Sequence, residues 1–91
     1  MKVIFLDHLK LQAKERRIDL GLTEDTLLKP EQIVSNVRDL KVAQKKYFDK
    51  KKNKEYLIRV IFREEKGTRF GITVYKTSKI KKYWKQNENK I

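Results

Sequence analysis

The single histidine of the chain, His8, stands in the stretch HLKLQAKERRI, residues 8–18. In steps of four it is followed by Gln12 and Arg16. At about 100° per residue, these side chains form a diagonal stripe along one border of an apolar helix face. A histidine there can give or take a proton near neutrality, and an arginine can neutralise a phosphate. The plainer alternative is an amphipathic helix whose border carries a packed or solvent-facing histidine.

A second group lies downstream. Tyr56, Ile58, Val60 and Phe62 alternate with Arg59 and Arg63, and Phe70, Ile72 and Val74 alternate with Arg69, Thr73 and Tyr75. Two such strands in a hairpin place the apolar set on one face, and Arg59, Arg63, Arg69, Thr73 and Tyr75 on the other. Arginine forks bind phosphate, and aromatic rings stack on unpaired bases. A polar outer face on an antiparallel sheet is the ordinary alternative.

RNA cleavage without a metal needs a proton acceptor for the attacking 2′-OH. It also needs positive charge on the crowded phosphate and a proton donor to the leaving oxygen. Arg16 with Arg59 or Arg63 would supply the charge, and His8 or Tyr75 the proton transfer. Arg69, Lys45, Lys46, Lys51, Lys52, Lys76, Lys79, Lys82 and Tyr83 are the expected RNA contacts. Thr77 and Ser78 read as helix caps, since no base stands beside them to make a nucleophile. Trp84 either plugs the core or stacks on a base or a protein partner.

Composition narrows the chemistry. The chain has no cysteine, which excludes disulfides, cysteine-based zinc sites and thiol catalysis. One histidine without paired carboxylates argues against a transition-metal site, and no cofactor is expected. The net charge of +12 is unevenly placed. Residues 1–40 carry seven basic and seven acidic side chains, whereas residues 41–91 carry seventeen basic against five acidic. A directional field of this kind points to a polyanion: RNA, DNA or an acidic protein. No apolar run reaches the roughly 18 residues of a membrane span, and MKVIFLD lacks the features of a signal peptide, so the cytoplasm is the expected location.

The elements that must hold these residues follow from the hydrophobic periods. Val3–Leu6 reads as a short strand or a helix entry. Residues 7–19 read as a helix, with Asp7 as its N-cap and Gly21 as its C-cap. A second helix starts at Thr23, and Pro30 either stops it or begins a further turn through Val34. Val42–Phe48 suits an edge strand and Asp49–Lys54 a charged turn. The hairpin strands follow, with a loop at Glu64–Thr68. Lys79–Trp84 forms a last helical turn. The expected fold is α+β, in one domain over residues 1–91 with its core in 5–84 and a polar tail over 85–91. Helices cover one face of a small antiparallel sheet.

The chain also resembles a family of small bacterial and archaeal proteins grouped as a domain of unknown function. Its members open on H-A-x-x-R-x-x-x-R-x-I and close on T-x-Y-x-T-S-x-x-x-x-Y. His8, Arg16 and Ile18 stand at the matching offsets, followed by Lys29-Pro30, then Thr73, Tyr75, Thr77, Ser78 and Tyr83. Leu9 and Gln12 depart from the pattern, standing where Ala and the first Arg are usual. The family is similar in layout to the BrnT and RelE/ParE toxins. The resemblance implies a toxin of a type II toxin–antitoxin pair, usually an RNase acting on mRNA and neutralised by a small acidic antitoxin. Gln12 in place of Arg weakens a phosphate site. Two other readings stand beside this one: a non-enzymatic basic nucleic-acid-binding module, or a ParE-like toxin that blocks gyrase.

Overall fold

The computed structural model describes residues 1–36 and 38–85. Its elements follow in the order β1 (Lys2–Phe5), α1 (Asp7–Glu15), α2 (Leu20–Leu28), β2 (Gln32–Ser35), β3 (Lys41–Asp49), β4 (Lys54–Glu65), β5 (Thr68–Thr77) and α3 (Ile80–Tyr83). The fold is α+β. Of the expected polar tail, residues 86–91 lie outside the described residues.

The five strands form one sheet in the order β1-β5-β4-β3-β2. The β5–β4 and β4–β3 pairs are antiparallel, as the expected meander requires, and the β3–β2 pair is antiparallel as well. β1 pairs with β5 in parallel, so the sheet is mixed rather than wholly antiparallel. The two helices and three strands between β1 and β5 supply the long connection that a parallel pair requires.

Two further expectations are corrected. Val42–Phe48 is not an edge strand: it belongs to β3, which lies between β4 and β2. The edge on that side is β2, in the segment where a helical turn after Pro30 was the alternative. There Gln32 and Val34 are buried while Ile33 and Ser35 are exposed, a strand period of two.

The first helix ends earlier than the apolar spacing suggests. Arg17 adopts a left-handed φ of 55°. Its N–H donates to the Lys14 carbonyl at 3.3 Å, and the Ile18 N–H donates to the Ala13 carbonyl at 2.8 Å. This is a Schellman motif with arginine in the position glycine usually takes. It turns the chain so that Ile18 is buried. Asp19, rather than Thr23, then caps α2, its carboxylate accepting the Leu22 N–H at 3.0 Å. Gly21 therefore lies in the first turn of α2 and not at a helix end.

Leu9 and Ala13 of α1 and Leu27 of α2 share one core with Ala43, Ile58, Val60, Phe62 and Val74. Gly71 is the point of closest approach. A Cβ there would lie 2.8 Å from Leu9 Cδ1 and 3.3 Å from Leu27 Cδ1 and Phe5 Cδ1.

A bulge changes which residues share a face. Ile61 pairs with Thr73 but Phe62 pairs with Gly71, so Ile72 has no partner across the ladder. Val74 sits opposite Val60, as the alternation predicts. Beyond the bulge the parity reverses. Gly71 and Arg69 join the core side opposite Phe62 and Glu64, while Phe70 faces Arg63 on the outer side.

Candidate nucleic-acid interface

The outer side of the sheet is built from residues of β4 that alternate with the core: Leu57, Arg59, Ile61 and Arg63. Across the ladder, Arg59 stands opposite Gln44 of β3 and Tyr75 of β5. The Arg59 Nε donates to Gln44 Oε1 at 2.6 Å, and its Nη1 donates to the Tyr75 hydroxyl. The guanidinium lies 4.0 Å from the Tyr83 ring centre and 5.6 Å from that of Tyr75. The two rings meet edge to face, with centres 6.4 Å apart. Arg59, Tyr75 and Tyr83, all named from sequence, thus form one half-buried cluster.

Two glutamines complete it and carry no sequence motif. Gln44 is fully buried. Its Nε2 donates to Gln32 Oε1 at 2.8 Å and to the Tyr83 carbonyl at 3.3 Å. Gln32 Nε2 donates to the Lys85 carbonyl at 2.8 Å, and the Lys85 N–H donates back to Gln32 Oε1 at 3.0 Å. This amide pair pins the segment after α3 across the outer side and positions Tyr83 over Arg59. Lys79 stands just before α3, its N–H donating to Thr77 Oγ1 at 3.1 Å.

Of the His8–Gln12–Arg16 stripe, Gln12 and Arg16 reach β5. Arg16 Nη1 donates to the Val74 carbonyl at 2.8 Å, and Gln12 Oε1 accepts the Val74 N–H at 3.2 Å. Arg16 therefore reaches the peptide that joins Val74 to Tyr75. His8 is exposed. It lies eight residues earlier, about 12 Å back along the helix axis. Arg63 is also apart, four residues from Arg59 along β4, or roughly 13 Å. It pairs with Glu65 at 3.1 Å and stacks on Phe70 at 5.1 Å. Of the five residues expected to act in chemistry, Arg59 and Tyr75 are bonded together and Arg16 abuts β5, the strand of Tyr75. His8 and Arg63 are not gathered with them.

Two of the expected RNA contacts are engaged in bonds within the fold. The bulge turns Arg69 to the core side, where Nη1 donates to the Leu27 carbonyl at 2.6 Å and Nε to Glu64 at 2.9 Å. It ties the end of α2 to the hairpin. Lys45 also stands on the core side, opposite Ile58, and its ammonium is bonded to the Asp25 carboxylate. That bond, reinforced by the charges of Lys45 and Lys29, holds the Asp25 carboxyl below its ordinary value, against a smaller opposing effect of desolvation.

The remaining cations gather at one end of the sheet. The β3–β4 turn, the end of β5 and the α3 segment all lie there, because Asp49 pairs with Lys54 and Leu57 with Thr77. In the turn, Asp49 Oδ1 accepts the N–H groups of Lys51 and Lys52 at 3.0 and 3.2 Å. Lys52, Lys54 and Lys76 place their ammoniums 5.8, 5.9 and 4.8 Å from the Tyr56 ring centre. Lys76 also approaches Asp49 at 4.0 Å. A cavity of about 440 Å³ opens beside them, lined by Arg17, Tyr47, Lys50, Lys51 and Lys76 among others. On the outer side, Lys46 lies 4.4 Å above the Trp84 ring and Lys82 is 5.3 Å from the Tyr83 ring. Trp84 is half-buried and stands outside the core cluster.

Among the described residues, no group of three or more His, Asp or Glu side chains is placed to hold a metal ion. No described helix is long and apolar enough to cross a membrane. Compared with protein-family models, with curated proteins and with solved structures, the chain gives no match in any of the three.

Proposed function

We propose that this chain is an RNA-directed toxin of a type II toxin–antitoxin pair, acting in the cytoplasm as a metal-independent endoribonuclease. The observation that carries the reading is the outer side of the sheet's cationic end, where Lys82 of α3 lies 5.3 Å from the Tyr83 ring of the Arg59–Tyr75–Tyr83 cluster. A polyphosphate chain matches that field, and aromatic rings among the cations suit bases better than a smooth anionic surface. A helical opening followed by an antiparallel meander resembles the layout of the RelE/ParE and BrnT toxins, which supports the reading by analogy alone.

In this reading, Arg59 and Arg16 neutralise the phosphate as it becomes pentacoordinate. The Tyr75 hydroxyl, held by the Arg59 guanidinium, moves a proton. Lys46, Lys79 and Lys82 hold the flanking backbone. A small acidic antitoxin covers the same cations. A defined mRNA in a translating extract, with 5′ ends mapped by primer extension, tests the proposal. The expected result is new discrete ends that disappear in Tyr75→Phe and Arg16→Ala while RNA affinity holds.

One observation favours a second reading, a non-enzymatic nucleic-acid binder. The Arg59 guanidinium is already bonded to Gln44 and to Tyr75, and the exposed His8 stands two helical turns from Arg16. Intact RNA with translation blocked, and affinity falling linearly in log salt with cation number, would establish this reading instead.

A further inference from the structure

A groove of about 630 Å³ runs between the end of β3 and the α3 segment. Its lining includes Lys46, Glu55, Lys79, Ile80, Lys82 and Trp84. That volume falls in the roughly 300–1,000 Å³ range of small-molecule pockets, enough for an unpaired nucleotide. The walls divide by chemistry. Trp84 and Ile80 are apolar, the lysines are cationic, and Glu55 contributes a carboxylate.

We infer that this groove is a subsite for an unpaired nucleotide of single-stranded RNA, with the base stacked on Trp84 and its phosphates on Lys46, Lys79 and Lys82. The inference rests on the RNA-directed reading above and adds a strand preference and a place. A duplex keeps its base faces stacked on one another, so it offers nothing to the indole, whereas every unpaired base has a free face.

Lys46 currently occupies one face of the indole, its ammonium 4.4 Å above the ring. At an exposed site such a cation–π contact is worth a factor of only about two to five in an equilibrium. Stacking of one base is worth about five- to 150-fold. Exchange is therefore favourable: the base takes the ring, and the flexible lysine moves onto the phosphate. Glu55 repels phosphate from its own wall and so orients the nucleotide. It also offers acceptors to the N–H edge of a base.

Trp84 is the only tryptophan of the chain, so its fluorescence reports this groove alone. The test titrates the full protein with a six-nucleotide single-stranded RNA and with a blunt RNA duplex, following Trp84 emission. In parallel, the anisotropy of labelled RNA reports binding anywhere on the protein. The expected result is saturable quenching by the single strand and little by the duplex. Trp84→Ala weakens single-strand binding about five-fold or more, Trp84→Phe retains most of it, and Lys46→Ala lowers the salt slope by about one. Binding by anisotropy with unchanged Trp84 emission overturns the groove assignment and leaves the RNA-directed reading standing. Absence of binding by anisotropy overturns both. Equal quenching by a polyglutamate peptide assigns the groove to an acidic protein partner and overturns the proposal.

Discussion

Gln44 and Arg59 face each other across β3 and β4, with 2.6 Å between Gln44 Oε1 and Arg59 Nε. The same glutamine donates to Gln32 and to the Tyr83 carbonyl, so one buried amide joins the guanidinium to the segment that covers it. Among the described residues, no buried side-chain nitrogen or oxygen lacks a partner. Such a network is costly to break in part, because each partner left behind is a buried, unsatisfied polar group.

Gln44→Leu removes the Arg59 acceptor and the Tyr83 donor together. The expected loss is about 2–3 kcal/mol, read from urea unfolding with an unchanged denaturant slope. The α3 segment loosens as well, so Trp84 emission shifts in the folded variant before any denaturant is added. An unmoved midpoint would show that solvent replaces these bonds without cost.

Gly71→Ala tests the packing of the helices on the sheet. The new methyl would meet Leu9 Cδ1 at 2.8 Å, and Leu27 and Phe5 close the space on either side. Leu9 and Leu27 are fully buried and cannot swing clear. The expected cost is about 1–3 kcal/mol by thermal or urea unfolding.

Much of this was legible in the sequence, and the misses have identifiable causes. The alternation of residues 56–63 and 70–75 gives two strands and correctly puts Arg59 and Tyr75 together on the outer side. It cannot show the bulge at Ile72, because an extra residue leaves the pattern on each side of it intact while reversing their relation. Phe70 and Arg69 were exchanged between faces for that reason. The short β2 was obscured by Pro30 before it and by a buried glutamine in the place of an apolar residue. Gln32 and Gln44 have no recognisable spacing because their partner relation is made across strands. The end of α1 was hidden because arginine, rather than glycine, takes the left-handed position.

Arg69 and Lys82 are both cations from the basic half, but Arg69 is bonded to Leu27 and Glu64 whereas Lys82 is exposed beside the Tyr83 ring. Arg69→Met breaks the tie to the Leu27 carbonyl and to Glu64, and is expected to cost about 1–3 kcal/mol of stability with little change in RNA affinity. Lys82→Ala leaves the melting temperature nearly unchanged, weakens RNA binding and reduces the salt slope by about one. Unfolding and anisotropy measured on both variants check the pair. A large affinity loss in Arg69→Met at unchanged stability would return that residue to the interface.

The Lys45–Asp25 pair gives a defined response to acid. Asp25 is held below the ordinary aspartate value of about 3.9 chiefly by its bond to Lys45. The folded state therefore binds this proton less readily than the unfolded chain. Its contribution is fully present above the unfolded value and is lost as pH falls through the folded one. Asp25→Asn should flatten that part of the stability profile below about pH 4 and leave the neutral-pH slope unchanged. An identical acid limb in both proteins would remove Asp25 as its source.

Gln12 offers the sharpest test of the α1 stripe, because an arginine at that position would strengthen the proposed phosphate site. Gln12 accepts the Val74 N–H through Oε1, while Arg16 donates to the Val74 carbonyl. Together they satisfy the N–H and C=O of one residue of β5 in the way a neighbouring strand would. A guanidinium has five donors and no acceptor, so Gln12→Arg cannot take the Val74 proton. Val74 is fully buried, so its N–H would be left without a partner. The expected cost is about 1–3 kcal/mol, larger than for Gln12→Glu, which keeps the acceptor. Two arginines four residues apart would also repel each other along the helix. If Gln12→Arg raises RNA cleavage despite that cost, the stripe is a weakened phosphate site. If it lowers stability and activity together, Gln12 serves as the edge cap that positions Val74 and Tyr75.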